Sequence, residues 1–237
     1  ALTDADSNVA IGYLSLTTDT LGSRAVAVGQ GALFSQNFTT AANSYNVAIG
    51  YETGGAITTG TFNTLMGGLS GDAITSGDNN TAVGYSSLTT NTLSDRNVAV
   101  GNFALSAHTQ ATSIDSYNVG VGHSAGREIT TGIQNTLIGS LAGDALTDAD
   151  FNTAVGMLAL SGDTLGSKST ALGYSALEVQ NFTTATDSFN TAVGHNAGVA
   201  VTTGISNTLI GGRSGDALQD ADYNVAIGES SLTSDTL

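Results

Sequence analysis

Short apolar runs, each opened by a polar residue and closed by a glycine, recur from one end of the chain to the other. They read NVAIG at Gly12, AVAVG at Gly29, NVAIG at Gly50, NTLMG at Gly67, NTAVG at Gly84 and NVAVG at Gly101. The series continues through Gly122, Gly139, Gly156, Gly173, Gly194 and Gly211 to Gly228, thirteen copies in all. Successive glycines are separated by steps of 17, 21, 17 and 17, and this set repeats, so the full period is 72, the separation of Gly12 from Gly84. Self-similarity at a fixed period is the signature of a stacked repeat architecture. The pattern predicts an all-β fold: a parallel β-solenoid of about 13 rungs, with one short strand per rung.

Each position in the unit has an expected task. The residue before the glycine is always Ile, Val, Met or Leu, and the one two places earlier is always Val or Thr. Side chains alternate across a strand, so these two share a face. They are taken as interior, with the small residue between them (Ala, Gly or Leu) against a closely packed neighbour. The leading Asn, present in all copies but those of Ala25 and Ser169, can hydrogen-bond to its equivalent one rung away and build a ladder. The closing glycine suits positive φ or a close backbone approach. Four residues beyond it, Leu and Gly alternate in pairs: Leu16 and Leu33, then Gly54 and Gly71, then Leu88 and Leu105. A second short strand or turn fits there. Each rung carries too few apolar residues to stand alone, but stacking builds a continuous core. Thirteen rungs at the strand spacing of about 4.8 Å predict a rod on the order of 60 Å long.

Composition sharpens this reading. The 237 residues include 31 Gly and no Pro, Cys or Trp, and only 11 % are charged. Stability must come from many small equivalent contacts in place of a few large side chains. Twenty acidic against five basic residues give a net charge of −15. That polyanion is repelled by phosphate backbones and anionic lipid, which argues against nucleic-acid binding and membrane association. No apolar run reaches membrane-spanning length, and the absence of cysteine removes disulfides and thiolate metal sites. The chain reads as a single repeat domain, residues 1–237, that begins and ends inside a rung, as expected for a fragment of a longer fibre or a subunit that continues end to end.

Segments such as NVAIGYLSL, NTAVGYSSL and NTAVGHNAG resemble the repeats of trimeric autotransporter adhesin heads, and equally those of bacteriophage tail fibres. The resemblance runs over essentially the whole chain. It implies a left-handed β-roll, three chains side by side in a homotrimer, an attachment role and an extracellular, cell-surface or virion location. Adhesin heads repeat at about fourteen residues per rung, whereas this chain steps by 17 and 21.

Three groups of residues are candidates for chemistry. The long rungs carry loops 34–45, 105–117 and 177–189, with Phe38, His108 and Phe182 at their tips. These could touch a glycan or protein receptor, since fibres bind through repeated weak sites; packing over a seam is the preferred account. Arg24, Arg96 and Lys168 share one repeat position with Tyr45, Phe62, Tyr117, Phe151, Phe189 and Tyr223. Ion pairs with Asp6, Asp78 or Asp150 are expected for them. Acidic residues cluster after each NTLxG run: Asp72 with Asp78, Asp144 with Asp148 and Asp150, Asp216 with Asp220 and Asp222. Such oxygen-rich loops could hold Ca2+, though a solvated acidic face is preferred and no other cofactor is expected.

No catalytic residue is assigned. His123 and His195 occupy equivalent repeat positions, and no G-x-S-x-G elbow is present. The sequence therefore predicts a non-enzymatic structural and adhesive fibre segment, a homotrimer or an end-to-end homo-oligomer. The alternatives are a filament-forming surface subunit and a solenoid binder of the ice-binding kind. The latter is disfavoured because Thr pairs such as Thr58-Thr59 fall in loops only once per full period.

Overall fold

The computed structural model describes residues 4–234. It is an all-β parallel solenoid, and its main elements are three-residue strands that coincide with the thirteen apolar runs. The contacts divide the chain into two compact units, residues 1–117 and 118–237. In the first unit the strands are Val9–Ile11, Val26–Val28, Val47–Ile49, Thr64–Met66, Thr81–Val83 and Val98–Val100. In the second they are Val119–Val121, Thr136–Ile138, Thr153–Val155, Thr170–Leu172, Thr191–Val193, Thr208–Ile210 and Val225–Ile227. Within a unit each strand pairs in parallel with the next and in register with the repeat, as Thr136 with Thr153 and Ile138 with Val155.

The orientation of the strands corrects the sequence expectation. The middle residue of the strand points into the solenoid, and the bulky pair points out. Ala27, Ala48, Leu65, Ala82 and Ala99 are fully buried, as are Leu137, Ala154, Ala171, Ala192 and Leu209, while Met66 and Leu172 stand exposed. The reason is the small perimeter. A rung this short encloses an interior too narrow for two columns of β-branched or larger side chains from one wall. One inward column of mostly alanine leaves room for the opposite wall.

That opposite wall explains the paired alternation of Leu and Gly. Where the fourth residue after the anchor glycine is Leu, the seventh is polar; where the fourth is Gly, the seventh is aliphatic. Thus Leu16, Leu33, Leu88 and Leu105 accompany Asp19, Gln36, Asn91 and His108, whereas Gly54, Gly71, Gly126 and Gly143 accompany Ile57, Ile74, Ile129 and Leu146. All of these seventh residues are buried. A methyl group on Gly143 would lie 2.8 Å from both Leu137 Cδ2 and Leu146 Cδ1, so the volumes are complementary. Two large residues at one level would overpack the interior, and two small ones would leave a cavity.

The Asn column forms the expected ladder. In the second unit the Asn135 backbone N–H donates to Asn118 Oδ1 at 2.9 Å, and the Asn152 N–H to Asn135 Oδ1 at 2.9 Å. The Asn135 side-chain amide also donates to the Ala149 carbonyl at 2.8 Å. The first unit repeats the scheme from Asn46 through Asn63 and Asn80 to Asn97. Each amide closes its own rung and tethers the next. Asn135→Leu, which strands the Asn152 N–H and the Ala149 carbonyl without partners, is expected to cost about 2–4 kcal/mol in urea unfolding.

Candidate functional site

Two rungs lack the ladder asparagine, and there the chain builds a buried polar relay. At Ala25 the gap is filled by Gln36: Asn46 Nδ2 donates to Gln36 Oε1 at 2.9 Å, and Gln36 Nε2 donates to Asp19 Oδ2 at 2.6 Å. Asp19 Oδ1 accepts the Gly22 N–H at 2.9 Å. At Ser169 the arrangement recurs: Asn190 Nδ2 donates to Gln180 Oε1 at 2.8 Å, and Gln180 Nε2 to Asp163 Oδ2 at 2.6 Å. Asp163 Oδ1 accepts the N–H groups of Gly166 and Phe182 at 3.0 and 3.1 Å. Burial pushes the Asp163 carboxyl above its ordinary range, against the lowering effect of the Gln180 and backbone donors. In the middle superrepeat the ladder residue Asn97 is present, and Asn91 and His108 stand where the other two copies carry Asp and Gln. The two long rungs that lack the Asn are the two that carry Gln, a covariation readable in the sequence but missed there.

The receptor tips therefore change identity. Phe38 and Phe182 are 7 % and 6 % exposed, and His108 is fully buried. Phe38 lies over Gly22, where a methyl group would come within 2.8 Å of its ring and 2.3 Å of Asp19 Oδ2. Phe182 sits over Gly166 and Asp163 in the same way. Both rings roof a buried carboxylate within their own chain and are not available to a receptor. His108 is not the equivalent of these rings at all: it occupies the inward column of Gln36 and Gln180, and Gln110 takes the ring position.

The basic residues also find partners other than those expected. Arg96 pairs with Asp115 and lies 5.7 Å from the Tyr117 ring centroid. Lys168 pairs with Asp187 at 2.5 Å and lies 5.3 Å from the Phe189 ring. Arg24 donates to the Tyr45 hydroxyl and lies 5.6 Å from that ring, which stacks on Phe62. Asp78 and Asp150 instead accept the backbone N–H groups of Thr61 and Ile133 at 2.6 and 2.8 Å. The exposed cation contacts contribute about 0–1 kcal/mol each.

Of the acidic residues, Asp148 accepts hydroxyl hydrogen bonds from Thr131 and Thr130, which hold its carboxyl below the ordinary range. Burial raises Asp72 and Asp144. Among the described residues, no group of three or more His, Asp or Glu side chains converges as a metal site, so Asp72, Asp144, Asp148, Asp150 and Asp216 are not brought together. No helix among the described residues is long and apolar enough to cross a membrane.

The outward strand faces expose aliphatic side chains in both units. Val9, Ile11, Met66, Ile138, Leu172, Ile210, Val225 and Ile227 are all more than one-third exposed on them. A threonine column runs beside the aliphatic one, from Thr136 through Thr153, Thr170 and Thr191 to Thr208 in the second unit. Fold and surface together define a parallel β-solenoid that shows a periodic aliphatic face to the outside. No family model matches the chain, and no match was found among the curated proteins or the solved structures.

Proposed function

We propose that this chain is a non-enzymatic structural and adhesive segment of an extracellular or virion fibre, assembled from copies that meet through their outward strand faces. The exposed aliphatic column carries the reading. Exposed aliphatic side chains recurring on the strand face of each unit, in a chain of net charge −15, mark an interaction surface. A second copy is the favoured occupant, because its own column has the same rung spacing and can match this one level for level. A side-by-side homotrimer accords with the likeness to adhesin heads and tail fibres; end-to-end association is the alternative assembly. Attachment would then fall to the exposed aromatic column of Tyr45, Phe62, Tyr117, Phe151, Phe189 and Tyr223.

Light scattering tests the assembly. The chain of 23.6 kDa is expected at a multiple of that mass, and Ile138→Asp with Leu172→Asp is expected to return it to a single chain while the far-ultraviolet spectrum stays unchanged. A single-chain mass for the unmodified protein would remove the reading.

The outward threonine column supports a second reading, an ice-binding solenoid. The sequence expectation weighed only the Thr pairs in loops; the strand hydroxyls instead repeat at the spacing of a parallel sheet, about 4.8 Å. Thermal hysteresis at millimolar protein, lost in Thr153→Leu with Thr170→Leu, would favour it over the fibre.

A further inference from the structure

The buried ladder asparagines spend their side-chain amides inside the solenoid: Asn46 Nδ2 donates to the Gly60 carbonyl and Asn190 Nδ2 to the Gly204 carbonyl, each at 2.7 Å. Asn37 and Asn181 are of another kind. They stand eight residues past the anchor glycine, in a turn column that mostly carries threonine, as at Thr58, Thr75, Thr130 and Thr147. Both are exposed, and both engage the side-chain oxygen. Asn37 Oδ1 accepts the Thr20 hydroxyl at 3.2 Å, and Asn181 Oδ1 accepts the Thr164 hydroxyl at 3.0 Å. With the oxygen turned toward the preceding rung, Nδ2 turns away from it.

Each of these asparagines opens an Asn-Phe-Thr triplet whose burial alternates. Phe38 and Phe182 are the buried roofs, whereas Asn37, Thr39, Asn181 and Thr183 are exposed. Residues two apart in an alternating segment share a side, so amide and hydroxyl are presented outward together. This is the Asn-x-Thr acceptor pattern for N-glycosylation, set in surface loops. A substituent on Nδ2 leaves Oδ1 in place to accept its threonine. In the corresponding loop of the middle superrepeat, Thr109, Gln110 and Ala111 supply neither the amide at the first place nor the hydroxyl at the third.

The triplet also occurs at Asn79, Asn80 and Thr81, and there the fold withholds it. Asn80 is fully buried in the ladder, with its backbone N–H on Asn63 Oδ1 at 3.0 Å. Thr81 opens the paired strand Thr81–Val83, and Asn79 itself has φ +59°. A transferase could draw out this triplet only by pulling a rung from the wall.

We propose that Asn37 and Asn181 carry N-linked glycans. Nδ2 attacks the anomeric carbon of a sugar activated as its nucleotide or lipid diphosphate, on a transferase of the producing cell. The new C–N bond replaces the C–O bond to phosphate; the phosphate leaves with the electron pair, and the amide gives up one proton. The long loops then present sugar to the outside instead of binding it. The inference rests on the exported location proposed above.

Glycopeptide mapping of the protein from its native source tests it. The peptides holding Asn37 and Asn181 are expected to carry added sugar mass, and the peptide holding Asn79 is expected bare. Thr39→Ala and Thr183→Ala are each expected to lose the sugar of their own loop only. Thr39→Ser keeps the hydroxyl and is expected to keep the sugar. All three changes fall on exposed side chains, so the variants are expected to fold. Bare Asn37 and Asn181, sugar that persists in Thr39→Ala, or equal occupancy of Asn79 would each overturn the proposal. Light scattering judges the fibre separately: assembled chains without sugar would remove the glycan sites and leave the fibre standing.

Discussion

Gln180→Leu is expected to destabilise the protein by about 3–5 kcal/mol, the cost of leaving a buried charge without its partner. The leucine fits the volume but removes three hydrogen bonds at once, one of them from Gln180 Nε2 to Ser169 Oγ at 2.9 Å. Asp163 Oδ2 loses the Gln180 amide, and Asn190 Nδ2 loses one of its two acceptors, keeping only the Gly204 carbonyl. Phe182 roofs the site, so solvent cannot replace either partner easily. Chemical denaturation at pH 7 measures the loss. The effect carries a pH signature. The Asp163 carboxyl in the folded chain already lies above its ordinary value, so the native state binds a proton more readily than the unfolded one. Stability from this group therefore rises as pH falls from above the folded value toward the ordinary carboxylate range of about 4, and it falls as pH rises through the same window. Removing Gln180 takes away a donor that lowers the carboxyl, which widens the window. The deficit of Gln180→Leu should shrink on acidification to about pH 5. A deficit independent of pH would mean that Asp163 is not the source of the cost.

Gly139→Ala is expected to cost about 2–6 kcal/mol, combining backbone strain with overpacking. Gly139 has φ +134°, and a methyl group there would lie 2.5 Å from the Gly156 carbonyl oxygen of the next rung. Neither atom can move without breaking the register of the pair Thr136 with Thr153. Gly228 supplies the control. Its φ of +121° is equally unsuited to alanine, but a methyl group there meets nothing within 4 Å. Gly228→Ala should thus show only the strain, about 1–3 kcal/mol. The difference between the two melting curves isolates the inter-rung clash. Equal losses would show that the backbone conformation, and not the stacking distance, dictates the glycine column.

Elsewhere the rungs tolerate positive φ without glycine. Leu69, Leu141 and Leu158, two residues past the anchor, adopt φ of +56°, +59° and +61°, and Tyr45, Phe62 and Phe151 do so before the ladder asparagine. A left-handed conformation costs such residues about 1–2 kcal/mol each. Repetition of the same turn in every rung shows that stacking hydrogen bonds, such as the Leu141 N–H to the His123 carbonyl at 3.0 Å, outweigh that penalty.

The period, the strands, their parallel register, the Asn ladder and the role of the anchor glycine were legible along the chain, because each depends on one residue type recurring at one interval. An asparagine every rung can meet only its own copy, and a glycine every rung marks a backbone no other residue fits. The direction of the strand faces was not legible. Alternation says which residues share a face but not which face is inside, and that choice was made by the width of the interior, set by the opposite wall. Pairing of Leu16 with Asp19 and of Gly54 with Ile57 became meaningful only once both columns were seen to fill one space. The burial of Phe38, His108 and Phe182 was likewise decided in three dimensions. The loops of the two rings fold back over Asp19 and Asp163 and cover carboxylates whose glutamine partners lie one rung away. Local periodicity determined the repeating unit; the volume enclosed by that unit decided which side chains it keeps and which it shows.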